Sequence, residues 1–263
     1  MNDIPVIVQA GFPDETVRAG FTTRLGGLSR PPYDTLNLGL STGDDPAVVR
    51  QNRRRLYEHL VIDESMTAVM QQVHGTLVRN VSHGGVWPDT DGLITGVPGV
   101  LLAISTADCV PLLLADARAR AVGAIHCGWR PLVGGIVENA VAGMRDAFGS
   151  KPDNITVVLG PAAASCCYEI GGDVAMKLQP SSVVKRGGSL YGDLYAECRS
   201  RLVAAGVLAS SVKTVGECTV CNPKKYYSHR RDGASSGRMH GFIMFVRPDK
   251  SDTTDTPARY IQS

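Results

Sequence analysis

Three side chains able to bind a metal stand at turns that follow apolar runs. His74 comes just after MTAVMQQ, Cys109 closes TADC after VLLAIST, and His126 opens HCGWR after AVGAI. Two imidazoles and one thiolate from separate strand ends are the donor set of a catalytic zinc site, which uses three protein ligands and keeps the fourth position open. A structural site would use four. Their separations along the chain match no short zinc-finger pattern, and taken singly each residue is more often an ordinary hydrogen-bonded histidine or a small core cysteine than a ligand. The case rests on three such groups converging on one pocket.

Other chemistry-bearing residues carry weaker signals. Cys218 and Cys221 form a CxxC, but no second pair with similar spacing accompanies it, so it is expected to be structural. Cys166 and Cys167 are adjacent in a Gly/Pro-bounded turn and read as loop packing. Arg53, Arg54 and Arg55 fall on a predicted helix, where three consecutive side chains cannot all face solvent, so one is expected to face the pocket. Arg230 and Arg231 in SHRRDG either hold an anion or form a surface pair.

The elements that must position these groups are legible as short apolar or β-branched runs. Strands are expected over Met66 to Gln72, Val100 to Ser105, Pro111 to Ala115, Ala121 to Ile125, Ile155 to Leu159 and Phe242 to Val246. The runs are continuous rather than alternating, which points to sheets covered on both faces. Helices expected over Pro46 to Leu60, Gly134 to Ala147, Val174 to Leu178 and Leu194 to Ala205 supply the cover, giving an α/β or α+β layered domain.

The 263 residues read as one unit, with a loose tail from about residue 251 and neither repeats nor a long linker. A net charge of +2 argues against a nucleic-acid or membrane partner. The start has no basic head and no sustained apolar block, and Asp108 and Pro111 interrupt the most apolar stretch, so a cytoplasmic protein without a membrane span is expected. Seven cysteines, an odd number, argue against a disulfide framework.

Read together, the motifs LNLG (36–39), GDDP (43–46), Asn52-Arg53, QVHG (72–75), TADC (106–109), HCGWR (126–130), LGP (159–161), YEIG (168–171), Cys218-Thr219, SHRRDG and GRM (237–239) resemble the multicopper polyphenol oxidase, or laccase-domain, family, now regarded largely as purine nucleoside phosphorylases. The resemblance runs from about Phe21 to Phe245. It implies a single domain of α/β/β/α layers related to Cys-His toxin deamidases, with His74, Cys109 and His126 as zinc ligands. It also implies phosphorolysis of adenosine, inosine, guanosine or methylthioadenosine and deamination of adenosine, with some bacterial members linked to peptidoglycan editing. Two positions depart from the family pattern: Cys127 stands where alanine is usual, and Pro131 where glycine is usual. If the strand continues through His126, Cys127 is expected on its opposite face.

For deamination, zinc-activated water would need an acid/base partner, and Glu169 or Asp108 has the right chemical type. For phosphorolysis, Arg53 would hold phosphate, with Asn37, Gln72 and Arg130 as nucleoside contacts. Copper in the same three-ligand site is the competing oxidase reading. The six histidines include no HxH pair, so the full ligand set of a laccase is missing. A metal-free thiol hydrolase using Cys109 and His126, or an enzyme acting on cell-wall precursors, is the further alternative.

Overall fold

Two six-stranded mixed sheets lie face to face in the computed structural model, which describes residues 7–246; the expected tail lies outside the described residues. The first sheet contains β1 (Ile7–Gln9), β2 (Val17–Thr22), β3 (Thr67–Met70), β5 (Gly85–Trp87), β7 (Leu101–Thr106) and β15 (Met239–Phe245), in the order β1-β2-β15-β7-β3-β5. The second contains β4 (Val78–Asn80), β6 (Gly92–Thr95), β8 (Val110–Asp116), β9 (Ala121–Cys127), β10 (Thr156–Leu159) and β14 (Val212–Thr214), in the order β14-β10-β8-β9-β6-β4. A small antiparallel sheet, β11 (Glu169–Ile170), β12 (Val183–Arg186) and β13 (Ser189–Gly192), has the order β11-β13-β12.

Strand alternation explains how each large sheet buries both faces. On β8, Leu113 and Ala115 point between the sheets, where they join Leu102, Ile104, Ile243 and Phe245. Leu112 and Leu114 point outward, under α3 (Ile136–Phe148) and α5 (Leu194–Ala204). On the far side Leu101, Phe242 and Met244 meet Leu56 and Tyr57 of α1 (Pro46–His59). The result is the expected α/β/β/α layering. Each fully buried Leu or Ile in these layers contributes on the order of 1.5–3 kcal/mol of transfer free energy.

Local chemistry sets the helix ends. Asp45 caps α1 by accepting from the Ala47 N–H, and Pro46 occupies the first turn, where a missing N–H costs nothing. The helix expected over Gly134 to Ala147 is α3, which starts at Ile136; Gly134 instead ends the short α2 (Trp129–Gly134), because Gly135 adopts φ +94° between the two. The helix expected over Val174 to Leu178 is instead the single turn α4 (Gly172–Ala175). The strand expected to run to Gln72 stops at Met70, where the chain turns toward His74. A single helical turn, α6 (His229–Asp232), and a 3-10 turn (Gly233–Ser235) precede β15. Among the described residues no helix is long and apolar enough to cross a membrane.

Candidate metal centre and cleft

Three chain segments meet at one end of the sheet pair. β3 and β7 are parallel neighbours, so Met70 and Thr106 finish on the same side, and the chain crosses there from the first sheet to the second. Cys109 sits in the crossing between β7 and β8, and His74 sits in the crossing between β3 and β4. His126 is the penultimate residue of β9, not a residue after it as the sequence implied. His126 shares its strand face with Val122 and Ala124 and so points into the end of the layer between the sheets. The neighbouring Cys127 packs with Ile125 under the helices, so the opposite-face expectation holds and Cys127 offers no ligand to the site.

One ligand atom each from His74, Cys109 and His126 lies within 4.8 Å of the other two. The imidazoles meet edge to face with centroids 4.8 Å apart. Their burial is graded, with His126 inside, Cys109 intermediate and His74 exposed, which leaves one side of the triad open to the cleft. His74 has φ +58° and Asp108, beside Cys109, has φ +94°. Such values are uncommon for non-glycine residues, and here both fall in the turns that present the triad.

Asp91 enforces the first of these turns. Its fully buried carboxylate accepts the backbone N–H groups of Val73 (3.1 Å), His74 (3.0 Å) and Gly75 (2.7 Å), and it meets His126 Nδ1 at 2.7 Å. With Nδ1 engaged, His126 turns Nε2 toward the triad, the arrangement by which carboxylates orient metal-binding histidines. Burial opposes ionisation of Cys109, yet the charge and hydrogen bond of His126, with help from His74, bring its thiol down to about 6. Burial likewise disfavours a charged His126, but the Cys109 thiolate and Asp91 raise it to about 9. The site is built to hold a thiolate beside imidazole donors. Gly128 completes it: a Cβ there would stand 3.0 Å from Cys109 Sγ and 3.3 Å from His74 Cδ2.

The triad forms part of the wall of a cleft of about 720 Å³. Arg53, Arg130, Arg230 and Arg238 also line it, and Asp108 is the single carboxylate among its lining residues. That carboxylate is already committed, accepting from Thr219 Oγ1 and from the Arg230 backbone N–H at 2.6 Å each. Of the arginine triplet, Arg53 alone lines the cleft, with its Nε donating to the Leu38 carbonyl at 2.8 Å. Arg230 lies over the Tyr168 ring and Arg130 over Trp129. Arg231 faces the other way and donates to the carbonyls of Thr219, Val220 and Tyr226.

The remaining expected contacts separate. Gln72 lines the cleft, and its amide clamps both the N–H and the carbonyl of Ser105 at 2.9 Å, tying the His74 segment to β7. Asn37 is fully buried away from the cleft wall; it donates to Thr42 and Asp44 and accepts from the N–H groups of Gly39 and Arg238. Glu169 is exposed on β11 and is not brought to the cleft, because strand alternation turns it away from the side where Tyr168 faces in. Asp91, Gly128, His229 and Arg238 belong to the triad's surroundings or the cleft without having been singled out. Asp91 in PDTDG reads as an ordinary turn residue before a strand, and nothing in its spacing marks it as the partner of a histidine far along the chain.

Fold and site together define a four-layer α/β protein with a His/His/Cys group, able by residue type to hold a metal ion, in a basic cleft. Residues 18–246 match the family described as multi-copper polyphenol oxidoreductase laccase, and the chain belongs to that family. It is 40% identical over 239 residues, 89% of this chain and 92% of the other, to a purine nucleoside phosphorylase of Deinococcus radiodurans. It is 37% identical to the purine nucleoside phosphorylase YlmD of Geobacillus stearothermophilus, over 86% of this chain and 89% of that one. The crystal structure of YlmD from the same organism superposes with a TM-score of 0.88 at 35% identity, covering 92% of this chain and 97% of that one.

Proposed function

We propose that this chain is a metal-dependent purine nucleoside phosphorylase, with zinc as the resident ion and adenosine deamination as a second reaction of the same site. The observation that carries the reading is the juxtaposition of an open His74, Cys109 and His126 donor set with four arginines in one cleft. The cleft volume suits a small molecule, and the excess of guanidinium groups suits a substrate or co-substrate that carries a phosphate. The relatives named purine nucleoside phosphorylase support the same class.

The donors fit zinc by chemical type, with two imidazoles, one stabilised thiolate and room for a fourth ligand. Bound there, a divalent ion would supply Lewis-acid stabilisation to an electron-rich group of the substrate. The chain's own residues do the rest. Arg53, anchored through Nε, presents the remainder of its guanidinium to phosphate. Arg238 is held by donation from Nη1 to the carbonyls of Ser236 and Gly237. Tyr168 offers the base an aromatic ring at the cleft wall, which Arg130 also lines. Asp108 is the acid/base candidate within the cleft, while Glu169 lies outside it.

Phenol oxidation with copper in the same three-ligand site is the second reading, favoured by the family's description. The described residues gather only two groups of three or more metal-binding side chains, and neither supplies the several further histidines of a laccase oxygen site. Seven free thiols suit a reducing compartment, in line with a cytoplasmic placement. The test is turnover of inosine and adenosine by zinc-loaded and copper-loaded protein, with and without phosphate. Phosphate-dependent release of free purine by the zinc form supports the proposal. Phenol oxidation by the copper form, with no nucleoside turnover by either, sinks it.

A further inference from the structure

Away from the triad, four cysteines gather where the sequence offered only a CxxC and an unexplained pair. Cys166 and Cys167 lie in the loop between β10 and β11, and Cys218 and Cys221 lie in the loop after β14. A parallel bridge between Ala162 and Cys218, with the Thr219 N–H donating to the Ala162 carbonyl at 3.0 Å, brings the loops together. All four sulfurs lie within 4.8 Å of one another, with Cys221 Sγ 3.1 Å from Cys167 Sγ and 3.5 Å from Cys166 Sγ.

We infer that Cys166, Cys167, Cys218 and Cys221 bind a single tetrahedral divalent ion, zinc by ligand type, that staples these two loops together. An ion bonded to four thiolates at about 2.3 Å spaces them roughly 3.8 Å apart, within the range the sulfurs already occupy. The group is too tight for a multi-iron cluster, which spreads its cysteines over several metals. Four ligands would close this site, in contrast to the open triad. The Ala164 N–H points at Cys218 Sγ at 3.5 Å, the kind of backbone donation that supports a thiolate. Arg186 donates to the Cys166 carbonyl at 2.8 Å and puts positive charge beside a centre that would otherwise carry excess negative charge. On binding, four S–H bonds give way to four metal–sulfur bonds and the protons leave to solvent, with no electron transferred.

The staple bears on the cleft. Thr219, between the CxxC cysteines, donates to Asp108, and Arg231 holds the Thr219 and Val220 carbonyls. Tyr168 follows Cys167 directly and lines the cleft. The ion therefore fixes one wall from behind and touches no substrate.

Metal binding by the four cysteines does not depend on nucleoside turnover and is tested by metal content. Full-length Cys109→Ala protein, purified under reducing conditions, is expected to retain one tightly held zinc per chain. Its cobalt-exchanged form is expected to show the intense visible absorption of a tetrathiolate centre. Adding Cys218→Ser and Cys221→Ser should abolish both signals. Should that variant fold poorly, the cobalt spectrum of wild-type protein reads the same centre without substitution. Cys109→Ala protein free of metal, a wild-type cobalt spectrum lacking the tetrathiolate band, or a Cys167–Cys221 disulfide in the reduced preparation would each overturn the inference.

Discussion

Asp91 and His126 form the join on which the candidate metal centre depends. One carboxylate oxygen contacts His126 Nδ1 at 2.7 Å and accepts the His74 backbone N–H, so a single buried side chain positions two of the three triad residues. Removing the negative charge while keeping the shape isolates that role. Asp91→Asn would present an N–H₂ to groups that are themselves donors. Zinc affinity at the triad is expected to fall about 10- to 100-fold, the usual cost of losing such an orienting partner. Competition with a chromophoric chelator measures it, and an affinity equal to wild type would deny Asp91 that part.

Gly128 is demanded by space, since its φ of −77° suits any residue. Gly128→Ala places a methyl 3.0 Å from Cys109 Sγ and 3.3 Å from His74 Cδ2, so both triad side chains would have to shift. A weaker triad with near-wild-type thermal stability is the expected pair of results, read by chelator competition and by melting of the metal-free protein.

Arg53→Ala should act on phosphate. Charge-assisted hydrogen bonds contribute about 1.5–3 kcal/mol, so KM for phosphate is expected to rise at least about tenfold with a smaller change in KM for inosine. Initial rates over a grid of both substrates separate the two. An equal rise in both would place Arg53 in general support of the cleft.

Cys127 lies on the core face of β9, where burial pushes its thiol well above the ordinary value. Cys127→Ala is therefore expected to leave zinc content and turnover at wild-type levels and to cost about 1 kcal/mol or less in stability, the scale of a small core truncation. Loss of zinc would bring Cys127 into the site.

His240 offers a pH signature separate from the metal centre. Burial, then the nearby positive charge of Arg53, holds its imidazole well below the ordinary 6.5. The unfolded chain takes up a proton below about pH 6.5 that the native state refuses. This contribution to stability is thus complete above that pH and is lost as pH falls from there toward the folded value. The drop in Tm between about pH 7.5 and pH 5 should be smaller in His240→Asn than in wild type. Equal drops would mean that His240 titrates normally in the folded protein.

The layers were legible because β8, β9 and β15 are continuous apolar runs, and α1 announces itself with Asp45, Pro46 and the inward set Val49, Asn52 and Leu56. The triad was legible because its residue types are chemically distinctive and end apolar runs. Short or polar strands such as β4 and β12 carry no such signal, since Val78-Arg79-Asn80 owes its pairing to β6 and not to its own pattern. Asp91 and the four-cysteine group were hidden for a related reason. Each works through a partner distant in sequence, and only the folded chain brings Cys166 and Cys167 beside Cys218 and Cys221.

The most direct measurement is product analysis of zinc-loaded wild type and Cys109→Ala protein incubated with inosine and phosphate. Hypoxanthine and ribose 1-phosphate are expected in equal amounts from wild type, dependent on phosphate, with loss of at least about a hundredfold of that rate in Cys109→Ala, the scale of removing a group central to transition-state stabilisation. Identical product traces from the two proteins would contradict that expectation.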